Sequence, residues 1–175
     1  MKKLLATTLT ILVMIGILAS PAAAQEPITL LAGKYIESGN VAISTSGDNL
    51  TVTFETTDGW QMMETHLYVG TDVPDKSAPG RFPYKHEDLG GVTADTYDLF
   101  LSELELNPGD TVYMAAQAAL QKLMVDEDGN PVLDEEGNPV YLEESAWAEG
   151  DPIRPGKNWA MYFSFEVPAA DATTE

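Results

Sequence analysis

The 175-residue chain has no cysteine. That excludes a disulfide framework, a thiol nucleophile and a lipid carried on cysteine. Stability must come from an apolar core, and a domain of about 150 residues can bury roughly 70 % of its unfolded surface. Positive charge is the second scarcity: nine Lys and Arg stand against 28 Asp and Glu, a formal charge of −19. Such a field repels nucleic acid and anionic membranes, so neither is expected as a partner, and it attracts cations. A convincing amphipathic helix is also missing. So are a Gly-x-Ser-x-Gly elbow, a glycine-rich phosphate loop and a His-Glu-x-x-His pair.

What the chain does have begins with a leader. Lys2 and Lys3 precede an apolar run from Leu4 to Ala19, and Ala22-Ala23-Ala24 supplies small residues for a signal peptidase. The expected organisation is a signal peptide at 1–24, one β domain at 25–168 and a flexible tail at 169–175. The chain is then secreted, starts at Gln25 and carries seven basic against 28 acidic side chains, a charge of −21.

Period-two patterning dominates the mature region. Val41 and Ile43 lead into the turn Ser46-Gly47-Asp48-Asn49, and Leu50, Val52 and Phe54 continue the apolar face on the return strand. Thr57-Asp58-Gly59 opens a third strand from about Trp60 to Val69. From Gly70 to Gly91 the prolines and glycines predict a long irregular loop, with Phe82, Tyr84 and Leu89 packing parts of it down. Strands are expected again over 93–101, 111–124 and 158–167. The alanines of 111–124 also suit a helix, but Thr-Val-Tyr directly after a Pro-Gly-Asp turn favours a strand. The pattern predicts an all-β fold, an antiparallel β-sandwich of about seven or eight strands with one long irregular loop.

Three groups of residues suggest chemistry. Asp126-Glu127-Asp128-Gly129-Asn130-Pro131-Val132 is echoed by Asp134-Glu135-Glu136-Gly137-Asn138-Pro139-Val140. Asp126, Asp128 and Asn130 set oxygen ligands at alternate positions, as calcium loops do, yet the glycine falls too early for an EF-hand and Asp-Gly is also an ordinary turn dipeptide. Glu64, His66 and Tyr68 alternate on one strand face, the raw material of a ligand or metal site and equally of a buried hydrogen-bonded pair. His86, in the polar part of the long loop, is expected to matter little. Finally, Trp60, Tyr68, Trp147 and Trp159 offer rings for stacking on a sugar, although Trp159 heads an apolar alternation and reads as core.

Several segments together resemble a largely uncharacterised β-rich domain of secreted and cell-surface proteins. They are Gly59-Trp60, Glu64-Thr65-His66-Leu67-Tyr68-Val69-Gly70, Pro79-Gly80-Arg81-Phe82-Pro83-Tyr84, Val112-Tyr113-Met114-Ala115-Ala116, Glu144-Ser145-Ala146-Trp147 and Asn158-Trp159-Ala160-Met161-Tyr162-Phe163. The resemblance spans about Ala32 to Val167. Relatives often carry a histidine after the Ala-Ala pair, and Gln117 stands there in this chain, which argues against a shared His-dependent metal site. The resemblance implies a secreted β-rich domain and no particular activity.

The expected function is therefore a secreted, non-catalytic extracellular or cell-surface module. Its binding residues are Glu64, His66, Tyr68 and Trp147, with calcium at Asp126, Asp128 and Asn130, and its partner is an extracellular ligand, a cation or a surface component. The alternative is an extracellular hydrolase or metal-dependent enzyme centred on Glu64 and His66.

Overall fold

The computed structural model describes residues 23–169. The expected signal peptide up to residue 22 and the tail from residue 170 lie outside the described residues. Eleven strands are formed: β1 (Ala23–Ala24), β2 (Ile28–Ala32), β3 (Ile36–Ser46), β4 (Asn49–Thr56), β5 (Trp60–Gly70), β6 (Tyr84–His86), β7 (Ala94–Phe100), β8 (Thr111–Leu123), β9 (Tyr141–Ala148), β10 (Asp151–Pro152) and β11 (Met161–Glu166). One short 3-10 turn, Pro79–Arg81, is the only helical element among the described residues.

All pairings are antiparallel, and the strands form one sheet ordered β10-β11-β8-β9-β2-β3-β4-β7. β8 is its hub. One edge of β8 carries β5 from Tyr113 to Lys122, while the other carries β11 over Thr111 to Met114 and then β9 over Gln117 to Leu123. β6 extends β5, and β1 extends β3. One long strand joins both halves of the sheet. The sheet curls into a half-barrel, and the expected sandwich gives way to this single curled sheet.

The inner face holds the main core, including Leu30, Ile43, Val52, Phe54, Trp60, Leu67 and Met114. A smaller cluster covers the outer face, where Phe82, Ala115, Trp147 and Ala160 pack with Tyr68, Ile153 and Trp159. β8 is thus covered on both sides, which explains its alanines. Small side chains let neighbouring layers approach, and the residues from Met114 to Ala118 are buried without interruption. The preference for a strand over a helix there is matched by the structure.

The last strand departs from its expected pattern. It starts at Met161 rather than Asn158, and Trp159 and Met161 join the outer cluster while Phe163, Phe165 and Val167 enter the inner core. β2 and β9 were not expected. Tyr141-Leu142-Glu143-Glu144 is exposed or half-buried, and only Ala146 to Ala148 is buried, so half of β9 has no apolar alternation.

Between β8 and β9 the octad repeat builds an arm. Met124 N–H donates to the Val140 carbonyl (3.0 Å), Val140 N–H to Val132 (2.9 Å) and Val132 N–H to Met124 (2.9 Å), closing a three-membered backbone ring. Asp126 and Asp134 occupy equivalent turns within it. Asp126 Oδ1 accepts the N–H groups of Asp128 (3.0 Å) and Asn130 (2.8 Å), and Asp134 Oδ1 those of Glu136 (3.0 Å) and Asn138 (2.7 Å). These bonds, Asn130 and Asn138 foremost, hold both carboxyls below the usual carboxylate range.

Candidate functional site

The outer face around β5, β8 and β9 gathers most of the expected binding residues. Cross-strand register aligns His66 with Gln117 and Gln117 with Trp147, so β5, β8 and β9 present these side chains in one row. His66 is 5 % exposed, and its Nδ1 lies 2.8 Å from Gln117 Oε1. Gln117 Nε2 in turn donates to Ser145 Oγ at 3.0 Å. With the amide nitrogen spent as donor to Ser145, Oε1 is the acceptor facing His66 Nδ1. His66 Nε2 then faces Glu64 Oε2 at 3.9 Å, beyond hydrogen-bond distance.

This geometry separates the two readings of His66. The expected His66–Glu64 bond is replaced by a His66–Gln117–Ser145 relay. Gln117 bonds both Ser145 and the imidazole, so His66 reaches the hydroxyl through the amide rather than directly. The position after the Ala-Ala pair thus holds a partner for His66 rather than a second imidazole. Alongside runs an open cleft of about 480 Å³ lined by Met63, Ala119, Gln121, Glu143, Glu144 and Ser145.

The aromatic residues do not form one platform. Trp60 is buried on the inner face, against Trp147 on the outer. Trp147 is 4 % exposed, with Phe82 set edge-on at 6.0 Å and Trp159 at 6.5 Å. Tyr68 is half-buried and donates its hydroxyl to the Asp72 carbonyl at 2.8 Å. Burial, with Asp72 and Asp75 nearby, raises its pKa. Trp159 alone of the three tryptophans lines a second open groove, of about 650 Å³.

Sequence reasoning missed a polar cluster where the two ends of the sheet meet. Thr56 N–H donates to Thr93 (2.9 Å) and Met62 N–H to Val92 (2.7 Å), drawing β7 toward β5. On the inner side Thr65 Oγ1 donates to Asp95 Oδ2, and its hydroxyl lies 2.8 Å from Tyr97 Oη. His86 Nδ1 sits 3.0 Å from both Asp95 oxygens, and that carboxylate is only 11 % exposed. His86 is therefore a strand residue pairing with Thr65, tied to a nearly buried acid, rather than a free loop residue. Its signal was Tyr84-Lys85-His86, too short a run between breakers to register as a strand.

At the octads, the Asp126 carboxylate turns inward on its own loop, and Asn130 Nδ2 reaches Asp126 Oδ2 at 3.3 Å. Among the described residues, no three His, Cys, Asp or Glu side chains gather to hold a metal ion. No helix among the described residues is long and apolar enough to cross a membrane. Comparison with protein families, with curated proteins and with solved structures finds no match, so the site is read from its own geometry.

Proposed function

We propose that the chain is an exported, non-catalytic module that binds an extracellular ligand on the outer face of its half-barrel. One observation carries this reading. The outer face offers two open grooves, the first lined by Ser145 at the end of a buried polar chain in which Gln117 bonds both His66 and Ser145. Binding sites are typically concave, largely apolar and pre-formed, with a few fixed polar groups. Acyl transfer instead needs a nucleophile bonded to its base.

The leader at 1–24 and the high acidity support an extracellular setting, since a strongly charged surface keeps a protein soluble and monomeric. At the arm the backbone N–H groups of Asp128 and Asn130 already bond Asp126 Oδ1, which supports reading it as a self-capped turn rather than as the main ligand site.

The test is hydrolytic. The mature protein is expected to release no product from ester, peptide or glycoside probes. Turnover that disappears in Ser145→Ala or His66→Gln would replace this reading with the enzyme centred on Glu64 and His66.

A further inference from the structure

The second groove brings together two basic side chains. It is lined by Lys34, Pro155, Gly156, Lys157, Asn158 and Trp159, and holds about 650 Å³. Two of the chain's nine basic residues thus share one concavity in a protein of charge −19. Neither lysine forms a salt bridge with a carboxylate among the described residues. The Glu144 carboxylate is the nearby acid, its oxygens 3.0 and 3.3 Å from where a Cβ on Gly33 would lie, and screening confines the field of more distant acids to about 8 Å at physiological ionic strength.

Lys34 is held there at a conformational cost. Tyr35 N–H donates to the Ala32 carbonyl at 3.3 Å, closing a two-residue turn in which Gly33 has φ +54° and Lys34 φ +79°. Such primed turns favour glycine or asparagine at their centre, and a long side chain in the left-handed region costs about 1 kcal/mol. Asp58, Asp88 and Glu105 share a positive φ at other turns, and of these four residues Lys34 is the one that lines a groove. The Lys34 ammonium lies 5.2 Å from the centre of the Tyr35 ring, which is 79 % exposed.

The opposite wall is fixed in advance. Arg154 donates to the Asp75 carbonyl through Nε (3.2 Å) and Nη2 (2.7 Å), and Asn158 Nδ2 donates to Ser77 Oγ at 2.6 Å. Ile153 N–H bonds the Ala160 carbonyl at 2.8 Å. These bonds tie the backbone of the β10–β11 loop down, so the segment that carries Lys157 and Trp159 is in place before a ligand arrives.

From this geometry we infer that the groove is a site for an acidic saccharide, a sugar carrying a carboxylate. The indole of Trp159 and the prolines offer an apolar face for a pyranose ring, and the two lysines act as point charges toward its carboxylate. The inference rests on the non-catalytic binding reading and names its ligand class.

Titration of the mature protein with tetragalacturonate, followed by Trp fluorescence and calorimetry, tests it. Saturable binding is expected, with no comparable binding of cellotetraose and no competition from inorganic phosphate at equal concentration. Lys157→Ala and Lys34→Gly should each weaken binding about tenfold, and Lys34→Arg should retain most of it. Lys34→Gly should also melt no lower than the parent, because glycine accepts φ +79°. No binding, equal binding of the neutral tetrasaccharide, full competition by phosphate, or lysine variants that bind as the parent does would each overturn the assignment. Cleavage of the bound saccharide would leave the groove standing and refute the non-catalytic reading instead.

Discussion

The imidazole of His86 lies flat on the phenol of Tyr97, with ring centroids 4.3 Å apart and planes inclined by 7°. His86 belongs to β6 at one end of the sheet and Tyr97 to β7 at the other. The stack, with Asp95 and Thr65 beneath it, therefore spans the opening of the half-barrel and holds the inner core closed.

Removing His86 should loosen this closure. His86→Ala takes a hydrogen bond from a nearly buried carboxylate and exposes one face of Tyr97, a loss of about 1–3 kcal/mol. Urea unfolding measures it. A variant as stable as the parent would show that the two ends stay together through their backbone bonds alone.

Tyr97 also predicts an alkaline transition. Burial, with a contribution from Asp95, raises its pKa in the folded chain. A raised acid keeps its proton when the unfolded chain has lost it, so its contribution to stability is complete below the unfolded value, about 10, and declines as pH rises above that. Stability should fall above pH of about 10 in the parent, and Tyr97→Phe should lessen that fall. Thermal melts across this range decide it.

Gln117 should prove as important to the fold as His66. Gln117→Ala leaves His66 Nδ1 buried without its partner, and His66→Ala leaves a cavity beside an unpaired amide, each costing about 1–3 kcal/mol. If the two effects come from one bond, the double variant should lose less than the sum of the single losses. Full additivity in urea unfolding would show that the relay is not a unit.

The arm should open in acid before the barrel does. Asp126 and Asp134 have depressed pKa values, so the turns they cap are supported above the ordinary carboxylate value and lose support as pH falls from about 4 through the lower folded values. Amide exchange at Asp128, Asn130, Glu136 and Asn138 should rise in that window while β8 stays protected. Asp126→Ala should open the first turn at neutral pH.

Export makes a separate claim. The three alanines place cleavage before Gln25, and intact mass of the extracellular protein should begin there. A species that keeps Met1 in a membrane fraction would refute it.

The sequence showed the parts of the fold that alternate cleanly. The hairpin of β3 and β4 has Val41, Ile43, Leu50, Val52 and Phe54 on one face with a Gly-Asp turn between, and pairs as expected. β9 was hidden because Glu143 and Glu144 break the alternation, its first half resting on solvent rather than core. The half-barrel was hidden for another reason. Whether strands form one sheet or two depends on which partners the long β8 takes on each edge, a non-local choice that periodicity does not encode. At the candidate site, Glu64 and His66 were visible as neighbours on one face, but the partner of His66 lies 51 residues away at Gln117. Lys34 and Lys157 attracted no notice because isolated lysines carry no motif.

The backbone ring of Met124, Val132 and Val140 has a consequence for how such a chain can change length. Its period is eight residues, an even number, so removing one unit leaves every side chain of β8 and β9 on its own face. If Val132 to Pro139 is excised, Val140 can take the place of Val132 opposite Met124, and the turn at Asp126 to Asn130 closes the shortened hairpin. The arm can therefore be trimmed by one unit while the grooves on the outer face stay in place, so its length is independent of the sheet that carries them.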